Sequence, residues 1–155
     1  MRAPIIALAL TVFTLPAYAG DLPDPLLTPG QARTVSKTVL CRRGSSRDAR
    51  HVTVATKREV FRRYGLPGGN HTGFCTGPHG CELDHLISLE LGGANTVKNL
   101  WPQPFDGKWN AHVKDKLENR LHREICAGTI TMRQAQEEIR ENWIEAYKRR
   151  FPEPE

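Results

Sequence analysis

The sequence predicts an α+β domain in which two short strands and an amphipathic helix pack against a carboxyl-terminal helix, with a disulfide-linked amino-terminal extension. Three observations carry that expectation. A strand–turn–strand–helix order runs from Glu82 to Ile125. A further helical segment follows Thr131-x-x-Gln134, a capping box whose two ends satisfy each other's free backbone N–H groups. The four cysteines are an even set, which in an exported chain reads as a disulfide framework.

Residues 1–19 are set apart from this fold. Arg2 precedes an almost unbroken apolar run, Ile5 to Leu15, and then Ala17-Tyr18-Ala19, a small-x-small cleavage site. That is the three-part pattern of a secretory signal peptide. The run is shorter than the roughly 20 residues a bilayer span needs, which argues against an anchor. The mature chain is therefore expected in the periplasm or the medium, off the membrane and monomeric. There Cys75 is expected to pair with Cys81 across a loop carrying Gly77, Pro78 and Gly80, leaving Cys41 for Cys126. The rival is zinc held by Cys75, Cys81 and His71 or His79, but the compact spacings of structural zinc sites are missing.

Residues 20–80 read as an arm and a basic extension. Pro23, Pro25, Pro29 and Gly30 suggest a loosely held arm. Thr34 to Leu40, rich in β-branched residues, reads as a short strand, and Arg42 to Arg50 as a basic loop. Thr56 to Tyr64 reads as a short helix. The core spans residues 81–150. Glu82 to Leu89 is its first strand, Leu91 to Asn95 a turn, and Asn99-Leu100-Trp101 a second strand stopped by Pro102 and Pro104. A helix from about Lys108 to Ile125 carries the apolar stripe Trp109, Val113, Leu117 and Leu121. The last helix buries Ala135, Ile139, Trp143 and Ala146.

The segment Leu83-Asp84-His85-Leu86-Ile87-Ser88-Leu89-Glu90-Leu91-Gly92-Gly93-Ala94-Asn95, continued by Lys98-Asn99-Leu100-Trp101-Pro102-Gln103, resembles the HNH (ββα-metal) endonuclease motif. More narrowly it is similar to small exported bacterial HNH-like proteins with a late Lys-Asp-x-x-Glu helix, here Lys114-Asp115-Lys116-Leu117-Glu118. The resemblance covers about residues 82–147. It implies a metal-dependent endonuclease that hydrolyses phosphodiester bonds of DNA, with RNA as a second candidate, at low sequence specificity. It assigns His85 the general base, Asp84 a metal ligand, and Asn99 the part of fixing the loop that orients His85.

Those residue types suit the chemistry. A neutral histidine takes a proton from water near neutral pH. A divalent cation stabilises the charge that develops on the phosphoryl oxygens; Mg²⁺ is expected from hard oxygen ligands, with Mn²⁺ and Zn²⁺ as alternatives. The third ligand is open among Asn110, His112 and Asp115. Helical phase counted from Trp109 favours Asn110, and a later helix start favours His112. Lys114 borders the apolar stripe, where it is expected to meet a phosphate. Glu118 and His122 read as a solvated pair rather than a second metal pair. Glu82 shares a strand face with Asp84 and is a candidate for support.

The formal charge of +5 and pI near 9.2 fit a nucleic-acid partner. Arg42, Arg43 and Arg47 are the expected phosphate-binding cluster, with Arg50 beside them, ahead of Lys148, Arg149 and Arg150 at the last helix end. Two rivals stand beside the nuclease: a non-catalytic nucleic-acid-binding module, and a disulfide-stapled envelope interaction protein.

Overall fold

The chain turns back on itself at Gly92-Gly93, and the segments before and after that reversal pair as strands. The computed structural model describes residues 20–66, 73–75 and 80–152. The expected signal peptide, and His71 and His79 with the loops that carry them, lie outside the described residues. In chain order the elements are α1 (Lys37–Leu40), α2 (Ser45–Asp48), α3 (Val54–Arg63), β1 (Phe74–Cys75), β2 (Cys81–His85), a 3₁₀ turn (Leu89–Leu91), β3 (Leu100–Pro104), α4 (Ala111–Ala127) and α5 (Met132–Arg150). The strands form an antiparallel sheet in the order β1-β2-β3, so the fold is α+β.

β3 runs through both prolines instead of stopping at them. Leu83 faces Pro102 and Cys81 faces Pro104, two residues apart on a strand whose only neighbour among the described residues is β2. Prolines at alternate positions turn their missing N–H groups to the free edge, the one place a sheet tolerates them. Asp84 faces Trp101 and Glu82 faces Gln103 in the same register, so both acids share one face of β2.

Three other expectations change. Residues 37–40 form a helical turn, not a strand: the Ser36 hydroxyl accepts from Val39 N, and Leu40 is fully buried. The basic loop contains a further turn, α2. The arm is tied down along its length. The buried Thr28 hydroxyl bonds Tyr64 Oη (2.8 Å) and Leu100 O (2.9 Å), and the Asp21 carbonyl accepts from Trp143 Nε1. Gly30 N donates to Lys98 O, and Ala32 pairs with Gly93. Each such buried hydrogen bond contributes about 1 kcal/mol net.

Both disulfides have the expected pairing, Cys41–Cys126 and Cys75–Cys81. The first ties the chain after α1 to the end of α4. α5 buries Ala135, Ile139, Trp143 and Ala146 against the core that Leu100, Trp101, Leu117 and Leu121 share, and its capping box is formed. It bends at Asn142, whose side chain accepts from Ile144 N and Glu145 N and so restarts the helix. No helix among the described residues is long and apolar enough to cross a membrane.

α4 starts later than Lys108. Asn110 is its N-cap, accepting from Val113 N, so Trp109 stands outside the helix and packs edge-on against Trp143 and Tyr147. The buried face is Ala111, Lys114, Leu117, Glu118, Leu121 and Ile125. Two charged residues therefore sit where only apolar ones were expected.

Candidate active site

The loop joining β2 to β3 is fixed by one amide. Asn99 is fully buried, and its side chain makes four hydrogen bonds. Oδ1 accepts from Ile87 N (3.0 Å) and Gln31 N (3.2 Å); Nδ2 donates to Ile87 O (2.9 Å) and Ala94 O (3.0 Å). That is the full capacity of an asparagine side chain. The loop closes this tightly only because of the glycine pair. Gly92 takes φ +86°, and a Cβ on Gly93 would lie 1.7 Å from Ile87 O. Asn99 thus fixes the loop and does not line the cleft described below.

His85 ends β2 and is only 4% exposed. Its Nε2 lies 2.9 Å from Asn95 Oδ1, and Asn95 Nδ2 donates to Ala49 O at 2.7 Å. A carbonyl can only accept, so the Asn95 amide nitrogen must face Ala49 and its oxygen must face His85. Nε2 therefore carries the proton, and Nδ1 keeps a bare lone pair with no partner among the described residues. Burial lowers the His85 pKa below the usual histidine value, against the opposing pull of the Asp84 carboxylate and the Asn95 bond. Burial thus favours the neutral imidazole, in which Nδ1 is the basic atom. The sequence marks Asn95 only as part of a turn; its partner Ala49 is far away in the chain, and no local pattern announces it.

Lys114 corrects an expectation. It is fully buried, and its ammonium has all three protons engaged: with Asp84 Oδ2 (2.6 Å), His85 O (2.7 Å) and Glu118 Oε1. No donor is left for a phosphate. Burial alone would push the Lys114 pKa down, but Asp84 and Glu118 together outweigh it and raise it. Glu118 shares that one cation with Asp84, and burial raises its pKa well above the carboxylate range while Lys114 pulls the other way. Of the two, Lys114 keeps its charge and Glu118 bears the cost of burial. Glu118 is therefore no member of a solvated pair. His122 lies on the other side, 3.9 Å from Glu90 and against Cys126.

Beside this trio lies a polar cleft of about 310 Å³, lined by Glu82, Asp84, His85, Glu90, Asp115 and Glu118, with Ser46, Ser88 and Arg50 at its walls. The pKa values of Glu82, Glu90 and Asp115 are raised, in each case first by burial and then by carboxylate neighbours that include Asp115 or Asp84. Among the described residues the buried Ser88 Oγ has no hydrogen-bond partner. Five carboxyl groups against Lys114 and Arg50, and an orphaned hydroxyl among them, are hard oxygen donors with an excess of negative charge. Oxygen donors of this kind suit a divalent cation such as Mg²⁺ or Mn²⁺. Among the described residues, however, no three of these carboxyl groups converge on one point, so a cation held by two of them would complete its shell with water.

The third-ligand candidates separate clearly. Both polar atoms of the Asn110 side chain are used at the helix start, Oδ1 by Val113 N and Nδ2 by Gly107 O. His112 stacks on Phe105 outside the cleft. Asp115 lines the cleft with Asp84. The helix does start late, but this does not bring His112 to the cleft, as helical phase alone would have it. A zinc site built on Cys75 and Cys81 has no thiolates to offer, since the two sulfurs are bonded to each other. Cys41, Cys126 and His122 also lie together, but those sulfurs form the other disulfide.

The basic residues divide as well. Arg42, Arg43, Arg47 and Arg50 are exposed, with Arg42 paired to Asp48 at 2.9 Å. At the other end, Arg150 is clasped by Glu124 and Glu138, Arg149 pairs with Glu138, and Lys148 with Glu145. No family model, curated protein or solved structure matches this chain, so the reading of the site rests on its own geometry.

Proposed function

We propose that the chain is an exported, divalent-metal-dependent endonuclease of the HNH (ββα-metal) type, acting on phosphodiester bonds of nucleic acid, DNA foremost. The observation that carries this reading is the His85 imidazole, held as the Nε2–H tautomer with Nδ1 unpartnered among the described residues, beside a cleft of oxygen donors. The order β2, β3, α4 supports the ββα assignment, and the two disulfides support export.

His85 Nδ1 takes the proton of the attacking water as its oxygen bonds to phosphorus and the P–O bond to the leaving alkoxide breaks. The imidazolium that forms keeps its Nε2–H on Asn95. Asp84 and Asp115 would hold the metal, with Ser88 and Glu82 at its margin; Lys114 donates to Asp84 Oδ2 and so fixes that carboxylate. The bound cation supplies Lewis-acid stabilisation of the phosphoryl oxygens and the leaving group. Arg50, at the wall between the carboxylates and the outer surface, meets a phosphate. Contacts through Arg42, Arg43 and Arg47 to phosphates give affinity without sequence readout.

Plasmid DNA incubated with the mature chain and Mg²⁺, Mn²⁺ or Zn²⁺ is expected to be nicked and linearised, and EDTA to stop it. His85→Ala is expected to lose on the order of 10²-fold or more of that activity while retaining its fold. A folded His85→Ala chain that cuts at the parental rate would sink the mechanism. If the parental chain binds DNA and cuts nothing with any of the three metals, it is a binding module instead.

A further inference from the structure

A second cavity, about 450 Å³, adjoins the carboxylate cleft and shares Arg50, Glu82, Leu83 and His85 with it. Its own walls add His51, Lys57 and Phe74. Phe74 is 47% exposed, a large aromatic ring left open to solvent. It is not isolated. Its ring stacks on Phe105 (centroids 6.2 Å apart, planes at 27°), and Phe105 stacks on the exposed His112 (6.1 Å, 25°). The other exposed large apolar residues, Leu22, Leu26, Val39 and Val54, belong to no such ring stack. Phe74, Phe105 and His112 thus form a ladder of near-parallel rings. One end shares a cavity with His85, and the other stands on the first turn of α4, three residues before Asp115.

We propose that this ladder is a stacking platform for unpaired bases, so that the site binds single-stranded nucleic acid in preference to duplex. The inference deepens the phosphodiesterase reading and rests on it. Three physical arguments meet here. Each base has a π-face, so exposed rings beside a cationic wall bind an unpaired strand with little regard to sequence. Arg50 and Lys57 supply cationic side chains on the cavity that Phe74 lines, matching a strand whose backbone runs over one wall while its bases lie on the rings. His85 lies at the floor, almost wholly buried. A duplex holds its phosphates at a fixed radius and its bases stacked on each other, whereas an unpaired strand can enter a cleft and give its bases to protein rings.

The test uses the mature chain in EDTA, where binding is read without cleavage. The probes are a fluorescent oligothymidine and a blunt hairpin duplex of equal length, followed by anisotropy. The parental chain is expected to bind the unpaired strand about tenfold or more tighter than the duplex. Phe74→Ala and Phe105→Ala should each collapse that ratio toward one, and Phe74→Trp should restore it. Phe74→Ala is the safer of the two for folding because its ring is half exposed; circular dichroism and a melting curve check both. Equal parental affinities, or a ratio unchanged by Phe74→Ala, would overturn the platform even if plasmid is cut. A strong unpaired-strand preference in a chain that cuts nothing with metal would keep the platform and refute the nuclease.

Discussion

The side-chain oxygen of Asn95 accepts from Nε2 of His85 at 2.9 Å, and the same amide is locked in place by the Ala49 carbonyl. The pair decides which ring nitrogen is basic. Asn95→Leu removes the acceptor and leaves the imidazole free to turn or to move its proton to Nδ1. We expect kcat to fall by about tenfold, less than for His85→Ala, with KM for nucleic acid little changed. The readout specific to tautomer is ¹⁵N NMR of the imidazole: the parental chain should show a protonated Nε2 and a bare Nδ1. A parental spectrum with the proton on Nδ1 would refute the assignment.

Lys114 is the buried cation between Asp84 and Glu118. Lys114→Met leaves Glu118 buried without a partner, and such a loss costs about 3–5 kcal/mol. Adding Glu118→Leu replaces the pair by apolar groups of similar size, which is commonly neutral or stabilising, and Asp84, partly open to water, tolerates the change. Urea unfolding of the two single variants and the double variant should therefore show the double recovering most of the loss. Additive losses would mean that the three groups do not act as a unit.

What was legible in the sequence was local. β2, the glycine turn, the Asn99 loop tie and the capping box of α5 each have a signature within a few residues. Apolar periodicity also gave the buried face of α5, since Ala135, Ile139, Trp143 and Ala146 have no competing polar role. It failed on α4 for two reasons. Asn110 capped the helix, so Trp109 dropped out of its phase. Lys114 and Glu118 occupied core positions, and a pattern that counts apolar residues reads buried charges as surface. The tie of the arm to Tyr64, Leu100 and Trp143, and the Asn95–Ala49 bond, are long-range contacts between residues that sequence composition marks as loop. Pro102 and Pro104 misled as strand breakers because edge position and parity are properties of the sheet.

Gly92 and Gly93 need glycine for different reasons, and the difference is measurable. Gly92→Ala forces an L-residue into the left-handed region and should cost about 1–2 kcal/mol. Gly93→Ala puts a methyl group against the Ile87 carbonyl and the Asn99 amide, backbone and buried side chain that have no room to give. We expect about 3 kcal/mol or more, together with disruption of the loop that carries Asn95. Chemical denaturation ranks the two; equal costs would show that the loop relaxes around Gly93.

Arg42, Arg43 and Arg47 are the exposed cations on and beside α2. Changing all three to Ala should weaken DNA binding for every sequence. It should also make the dependence of log Kd on log salt shallower, by about 0.9 for each duplex phosphate that is no longer neutralised. Arg149→Ala, at the far end of the chain's last helix, should barely change that slope, since the binding surface is placed on α2. An unchanged slope in the triple variant would place the binding surface elsewhere.

The Arg150 clasp sets part of the acid limit of stability. Arg150 donates to Glu138 through Nη1 (2.6 Å) and Nη2 (3.0 Å) and to Glu124 through Nε (3.1 Å), joining the end of α5 to α4. The Glu138 pKa is lowered, first by the Arg150 hydrogen bonds. For Glu124, burial acts upward, but Arg120 and Arg150 together bring its pKa below the ordinary value. A carboxyl with a depressed folded pKa contributes stability above its unfolded value, near 4.5, and loses it as pH falls through the folded value. The raised carboxyls of the cleft act with the opposite sign, so the parental curve alone mixes the two. The difference between parental and Arg150→Met chains separates them. That difference should be constant from neutral pH to about 5 and shrink below it, as protonation removes the charges that Arg150 meets. A difference that holds constant down to about pH 3 would show that Arg150 steadies α5 through packing of its stem rather than through its two carboxylates.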